Sequence, residues 1–169
     1  MLPFDIRPLD PKSQHELDEV CVFSVMTLWE SRPEMRVDPK TLPHFGFEAH
    51  RRIITAGADN GSQQYLVARD AEGRLAGHSI VIVRHGDDGV DYGYLWSRYV
   101  LPRFRRQGLA RTFLHRNLDW LRQRAIAYAE VHVHVENHAL RQLFESEGFR
   151  VVDRRSDQWT YLVLRHDLL

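Results

Sequence analysis

The sequence predicts a mixed α/β fold, in which a central, mostly antiparallel sheet of about seven strands carries helices on both faces. Three observations predict it. Between residues 64 and 101, hydrophobic residues recur at every second position in three runs separated by short turns, which is typical of an antiparallel meander. Between residues 90 and 135, a periodic helical segment separates two strand-like segments, and such a crossover makes its two strands parallel. Residues 150–164 show a second hairpin pattern.

Length and composition indicate one domain over residues 1–169. The 43% hydrophobic content suits a folded chain with a sizeable core. The 23 Lys and Arg residues are balanced by 23 Asp and Glu residues, so we expect neither nucleic acid nor a membrane surface as a partner. No apolar run is long enough to span a bilayer, and the first residues lack the pattern of a signal peptide. The single cysteine, Cys21, excludes an internal disulfide, and we expect a cytoplasmic protein.

The first part of the chain predicts one short strand and two helices. Asp10 and Pro11 are typical of the start of a helix. The segment Leu17–Trp29 is apolar nearly all round, which indicates a well-buried helix, and Ser31-Arg32-Pro33 ends it. Residues 38–46 predict an irregular segment because they contain proline and glycine. The first strand and the second helix are expected at Phe4–Pro8 and from about Phe45 to Ala56.

The remainder of the chain predicts six strands and two helices. Glycine- and aspartate-rich turns separate the first three strands, and Gly148 is expected to end the last helix. The elements are the strands Gln64–Arg69, Leu75–Arg84 and Val90–Leu101, the helix Gln107–Ala125, the strand Ala129–Val135, the helix His138–Glu147, and the strands Arg150–Arg155 and Trp159–Leu164.

A basic turn between the third strand of the meander and the long helix predicts a phosphate-binding site. The strand stops at Pro102, and residues 103–108 form a basic turn that ends in Gly108. Glycine has no Cβ, so the backbone can approach a ligand closely there. The free N–H groups of a turn and of a helix N-terminus together favour an anion. Arg103, Arg105, Arg106 and Arg111 add positive charge around this position.

Two motifs resemble those of the GCN5-related N-acetyltransferase (GNAT) superfamily. The spacing Arg105-x-x-Gly108-x-Ala110, after Val100-Leu101-Pro102, resembles its acetyl-CoA-binding motif. Residues 137–149 resemble its second signature, an asparagine after the fifth strand, a short helix, and then Gly148-Phe149. The predicted order of strands and helices is also that of the GNAT fold, so the resemblance covers nearly the whole chain.

The resemblance implies acetyl-CoA, or another acyl-CoA, as co-substrate; we expect no metal. In this family the parallel fourth and fifth strands splay apart, and pantetheine lies in the gap, paired with backbone groups of the fourth strand. The pyrophosphate lies on N–H groups at the helix start. The residues then expected to bind the cofactor are Tyr99, Val100, Leu101, Arg105, Arg106, Gln107, Gly108, Leu109, Ala110, Arg111, Asn137 and Phe144.

The catalytic residues expected from this resemblance are His132, Tyr99 and Asn137. In one branch of the family a glutamate occupies the position of His132 and acts as the base. A histidine there has an ordinary pKa of about 6.5, which suits proton removal at neutral pH. A backbone N–H near Tyr99 or Val100 would hold the thioester oxygen, and Asn137 would order the strand end. The alternative explanation is that His132 is a polar residue without a catalytic role, on a strand face that is partly exposed to solvent.

Acceptor-binding residues are less sharply indicated. Tyr94 stands where other branches carry a catalytic glutamate, so that route is absent. Tyr94, Trp96 and Arg98 alternate along the strand and are expected on one face, where they would either line the acceptor pocket or pack under helix 45–56. The candidate substrate residues are Trp29, Glu30, Tyr94, Trp96 and His134.

Phe144 is the clearest departure from the family pattern, because many members have a tyrosine there that protonates the departing thiolate. The sequence therefore leaves two functions open: an N-acyltransferase in which the amine attacks acetyl-CoA directly in a ternary complex, and an inactive acyl-CoA-binding sensor. A role at RNA is a weaker third hypothesis. The set His132, His134 and His138 has no evident fourth ligand for a metal. The expected acceptor is a small-molecule or peptide amine, and the expected state is a monomer or homodimer.

Overall fold

The computed structural model describes residues 3–31, 47–156 and 159–169, and within them one mixed sheet organises the molecule. In chain order the elements are β1 (Asp5–Pro8), α1 (Gln14–Ser31), α2 (Phe47–Asn60), β2 (Gln63–Arg69), β3 (Leu75–His85), β4 (Asp91–Val100), a 3-10 turn (Pro102–Phe104), α3 (Leu109–Arg122), β5 (Tyr128–His134), α4 (His138–Ser146), β6 (Arg150–Ser156) and β7 (Thr160–Asp167). The strands lie in the order β1-β2-β3-β4-β5-β7-β6.

One parallel pair interrupts an otherwise antiparallel sheet. The strands β1 to β4 form the predicted meander, and β7 pairs antiparallel with both β5 and β6. The parallel pair is β4 and β5, which the α3 crossover joins. This confirms the predicted fold class.

The two faces of the sheet carry separate hydrophobic clusters. On one face, residues of α3 and α4, among them Leu114 and Phe144, pack against β5 residues such as Val131. On the other, residues of α1 and α2, among them Val20 and Ile54, pack against Ile80 and other strand residues. Each face of β4 and β5 therefore lies under a different pair of helices.

A β-bulge in β4 changes which side chains share a face. Ser97 pairs with Ile80 and Leu95 pairs with Val81, so Trp96 is left without a cross-strand partner. The extra residue shifts the alternation by one position. The expectation that Arg98 shares a face with Tyr94 and Trp96 was therefore wrong, because Arg98 lies on the α3 and α4 face.

Several boundaries differ from the predicted ones for local reasons. The helix α3 begins at Leu109 rather than at residue 107, because Gly108 has a left-handed conformation with φ of +83°. It ends at Arg122 rather than at Ala125, where φ is +54°. The helix α2 extends to Asn60 instead of ending at residue 56. The end signal Arg32-Pro33, the irregular segment 38–46 and the predicted helix start near residue 45 lie outside the described residues.

Candidate functional site

The strands β4 and β5 separate after two paired positions. Gly93 pairs with Ala129 and Tyr94 with Glu130, whereas β4 continues to Val100 and β5 to His134 without further pairing to each other. Since each strand rises about 3.3 Å per residue, the unpaired ends border a gap long enough for an extended ligand. We call this opening the β4–β5 gap.

The hydrogen-bonding pattern of β4 determines which backbone groups face that gap. The Leu101 N–H donates to the Ala76 carbonyl at 3.0 Å, so Leu101 faces β3. Successive residues of a strand point their N–H groups to opposite edges. The Tyr99 N–H therefore also points to β3, and the N–H groups of Val100 and Arg98 point to the gap. Among the three strand residues expected to pair with pantetheine, Val100 is thus the one with its backbone N–H at the opening.

The end of β4 leads into a turn of free backbone donors. Arg106 has φ of +63°, an uncommon conformation for a residue other than glycine, and Gly108 has φ of +83°. The first helical hydrogen bond runs from the Thr112 N–H to the Gly108 carbonyl at 3.0 Å. The N–H groups that precede Thr112 in the first turn therefore have no acceptor within the helix. Together with the helix dipole, they can bind an anion.

The arginines around this turn differ in what they already contact. The Arg105 guanidinium donates to the Val100 carbonyl at 2.8 Å and to Glu30 at 2.6 Å. Arg111 donates to Glu147. Arg106 forms no ion pair with any residue in the described ranges. The structure thus gives Arg105 and Arg111 structural partners and leaves Arg106 exposed beside the free N–H groups.

Tyr99 connects the end of β4 to the end of α1. Its hydroxyl donates to Glu30 at 2.7 Å, and its ring contacts Phe23 with a centroid separation of 5.2 Å. Burial, and secondarily the hydrogen bond to Glu30, raises the pKa of Tyr99 to about 12. The phenol therefore stays protonated at neutral pH, and the predicted site residues Tyr99, Glu30 and Arg105 form one hydrogen-bonded cluster.

His132 is held by a carboxylate that the sequence analysis missed. Its Nε2 lies 3.1 Å from Glu130 Oε1, and Glu130 also accepts from Arg165 at 3.2 Å. The hydrogen bond from His132, which outweighs burial, lowers the pKa of Glu130, with Arg165 adding to the effect. An ionised Glu130 favours the tautomer with its proton on Nε2, which leaves Nδ1 with a lone pair. The alternation Glu130-Val131-His132 was the sequence signal for this pair.

Aromatic rings fix the orientation of His132. Tyr161 stacks on the imidazole with a centroid separation of 4.9 Å, and Tyr94 contacts it edge-on at 5.0 Å. His132, Tyr94 and Glu130 therefore come together on the face covered by α1 and α2. Since Tyr94 and Glu130 form the last β4–β5 pair, the imidazole lies where the gap opens.

The other candidate acceptor residues are more scattered. Trp96 stacks on His50 of α2 at 5.2 Å between ring centroids, which favours the packing explanation for this residue. His134 Nδ1 accepts from the Glu136 N–H at 3.4 Å. Trp29 is 40% exposed near the end of α1. The structure thus groups Tyr94 with His132.

Asn137 and Phe144, from the stretch that carries the second motif, lie on the α4 side of the gap. Asn137 Oδ1 accepts from the Leu140 N–H at 3.1 Å, so Asn137 is the N-cap of α4. Phe144 is fully buried, and the guanidinium carbon of Arg98 lies 4.6 Å from its ring centroid. Sequence reasoning missed this contact because the bulge had not been foreseen.

Two further features bear on the site. No three His, Cys, Asp or Glu side chains within the described ranges are placed to hold a metal ion. A surface pocket of about 330 Å³ lies beside α3, lined by residues such as His115, Glu147 and His166, and none of its lining residues belongs to β4 or β5. The predicted catalytic and cofactor-binding residues therefore lie around the β4–β5 gap and not around this pocket.

Comparison with known proteins agrees with the geometry. Residues 25–149 match the model of a family described as the acetyltransferase (GNAT) family. No curated protein matches the chain significantly.

Solved structures with the same fold include three acetyltransferases. A GNAT-family acetyltransferase from Streptococcus pneumoniae is 17% identical with a TM-score of 0.71, covering 98% of this chain and 99% of that one. Spermidine N-acetyltransferase from Vibrio cholerae, in complex with CoA and spermine, is 17% identical with a TM-score of 0.68, covering 98% and 96%. The paia N-acetyltransferase from Thermoplasma acidophilum, in complex with coenzyme A, is 15% identical with a TM-score of 0.71, covering 97% and 98%. At these identities the likeness concerns the fold.

Proposed function

This chain belongs to the acetyltransferase (GNAT) family, and from that premise we propose that it transfers an acetyl group from acetyl-CoA to a primary amine. The observation that carries the proposal is the β4–β5 gap, which ends against a turn of free N–H groups at the start of α3. The extended thioester arm of acetyl-CoA needs a gap of this kind, and the pyrophosphate at the other end of that arm needs the N–H groups of the turn.

The cofactor would bind along the β4 edge of the gap. The Val100 N–H is available for an amide carbonyl of pantetheine, and the first-turn N–H groups from Gly108 to Arg111 are available for the pyrophosphate. Arg106 adds an exposed positive charge beside them. That two structural neighbours are complexes with CoA or coenzyme A supports this placement.

Catalysis would begin with removal of a proton from the acceptor amine. An ammonium has no lone pair, so the amine must be neutral before it can attack the thioester carbon directly. His132 would take this proton through Nδ1, directly or through water, because Glu130 holds the opposite ring nitrogen. The Arg98 N–H, which also faces the gap and lies nearer to His132 along β4, would stabilise negative charge on the thioester oxygen.

The acceptor would approach from the face covered by α1 and α2, where Tyr94 and His132 meet. One structural neighbour is a spermidine acetyltransferase in complex with spermine, so a small-molecule amine is the first acceptor class to test, and a peptide amine the second.

The remaining expectations form part of the same proposal. We propose one domain over residues 1–169 that acts in the cytoplasm as a monomer or homodimer, without metal, nucleic acid or membrane. The balanced charge and the lone cysteine support this setting. Within the described ranges, none of the helices is long and apolar enough to cross a membrane.

A second candidate function is acyl-CoA binding without transfer. Phe144 favours it, because the ring has no proton to give to a departing thiolate. Calorimetry with acetyl-CoA, followed by an amine panel that includes spermidine and short peptides, separates the two functions. Binding together with release of free thiol supports the transferase, binding without thiol release supports the sensor, and no binding contradicts both.

A further inference from the structure

Arg98 is the basic residue of β4 that the fold brings to the α4 side of the gap. Its cross-strand partner is Ser79, and Ser79 Oγ accepts from Asn117 of α3 at 2.9 Å. Residues directly opposite each other in a sheet share a face. Arg98 therefore points to the α3 and α4 face, where its guanidinium carbon lies 4.6 Å from the ring centroid of Phe144.

The guanidinium has no carboxylate partner within the described ranges. The ion pairs there that involve arginine engage Arg105, Arg111, Arg165 and others, but not Arg98. Burial lowers the pKa of Arg98 to about 10, which leaves the group protonated at neutral pH. A partly buried cation that faces an aromatic ring and lacks an anion is unusual, since buried charges are normally paired. This arrangement points to an anion that arrives during the reaction.

The position of this cation beside Phe144 suggests which anion it meets. Phe144 stands where the family pattern has a tyrosine that serves the departing thiolate, and the phenyl ring cannot do so. The Arg98 guanidinium supplies N–H donors and a charge against that same ring. We propose that Arg98 stabilises the departing coenzyme A thiolate, in place of the hydroxyl that Phe144 lacks.

This inference rests on the proposed acetyl transfer, and its step balances without a further reactant. The amine nitrogen forms a bond to the thioester carbon, the carbon–sulfur bond breaks, and its electron pair stays on sulfur. The amine proton leaves through the base or water. Arg98 keeps its own proton and pairs with the thiolate. A thiol has an ordinary pKa of about 8.5, so solvent can protonate the sulfur after release.

The test compares variants that separate charge, shape and position. Arg98→Met removes the charge and keeps the length, Arg98→Lys keeps the charge, and Arg98→Met with Phe144→Tyr restores a hydroxyl on the opposite side of the contact. Arg124→Met is the matched control, because Arg124 also lies on a ring, 3.8 Å from the Trp120 centroid, at the far end of α3. The readouts are the single-turnover rate of thiol release, the Kd for acetyl-CoA and the melting temperature.

Arg98→Met should lower the single-turnover rate by about 10²-fold, as loss of one transition-state donor does elsewhere. The Kd for acetyl-CoA should change little, because the thiolate forms only during the reaction. Arg98→Lys and the double variant should each recover at least about tenfold of that loss, and Arg124→Met should match the wild type. If Arg98→Met fails to fold, Arg98→Gln, which also removes the charge, takes its place beside the lysine variant.

Three results would overturn the inference. They are a wild-type rate in Arg98→Met, a lysine variant as slow as the methionine variant, and a loss confined to acyl groups that carry a carboxylate, such as succinyl-CoA. In each case the wild type still transfers acetyl groups, so the proposed function stands. A wild type that binds acetyl-CoA but releases no thiol with any amine contradicts both proposals together.

Discussion

Replacement of Gly108 by glutamate tests the phosphate site at the start of α3. Gly108 has φ of +83°, where a residue with a Cβ costs about 1–2 kcal/mol in folding free energy. The new carboxylate would also lie beside the pyrophosphate. At about 5 Å and an effective dielectric constant of about 20, two like charges repel by about 3 kcal/mol. We therefore expect the Kd for acetyl-CoA to rise by at least about 10²-fold in calorimetry.

Gly73→Glu is the matched control for Gly108→Glu. Gly73 has φ of +76° in the turn between β2 and β3, and a Cβ built there meets no atom within 4 Å. The two variants should lose similar stability, about 2–4 °C in Tm for each kcal/mol, but the Gly73 variant should bind acetyl-CoA as the wild type does. Equal affinity of the Gly108 variant and the wild type would refute the reasoning.

Two further predictions concern His132 and Glu16. His132→Ala should lower the rate of transfer more than it weakens acetyl-CoA binding, because the imidazole would remove the proton of the acceptor amine and does not hold the cofactor; a variant that transfers acetyl groups at the wild-type rate would contradict this. Burial opposes ionisation of Glu16, but hydrogen bonds from Arg7, the Asp10 N–H and Arg69 lower its pKa to about 2. Because the folded pKa is depressed from 4.5, the stabilisation is complete above that value and is lost as the pH falls towards about 2. Urea unfolding should show Glu16→Gln to be less stable by about 3 kcal/mol at pH 7, with a smaller difference at about pH 3, and an equal difference at both values would contradict it.

The elements with a strong periodic pattern were predictable from the sequence. The meander β2–β3–β4 and the crossover through α3 follow from the change of hydrophobic period from two to 3.6. The parallel β4–β5 pair then follows from the helical crossover, which returns the chain to the end of the sheet at which β4 began. The presence of the gap was expected from the resemblance, and the pairing of only two positions confirms the splayed strands.

Side-chain placement near the bulge could not be read from the sequence. Alternation along β4 predicted one face for Tyr94, Trp96 and Arg98, but the insertion of one unpaired residue at Trp96 moved Arg98 to the opposite face. Bulges depend on how two strands pair, and a pattern within one strand does not record that pairing.

Long-range ion pairs were equally hidden from the sequence. Arg105 and Arg111 appeared as equivalent parts of a basic cluster, yet Glu30 and Glu147 engage them from distant parts of the chain. By contrast, the pairing of Glu130 with His132 could have been predicted from the sequence, because residues that are two positions apart on a strand share a face. The polar alternation of β5 had been considered only from His132 onwards.

The most direct test of the central claim is a crystal structure of this protein with coenzyme A. The account predicts pantetheine between β4 and β5 against the Val100 N–H, with the pyrophosphate within about 3 Å of the N–H groups from Gly108 to Arg111. Coenzyme A bound elsewhere, or β4 and β5 fully paired along their length with the ligand outside, would contradict it.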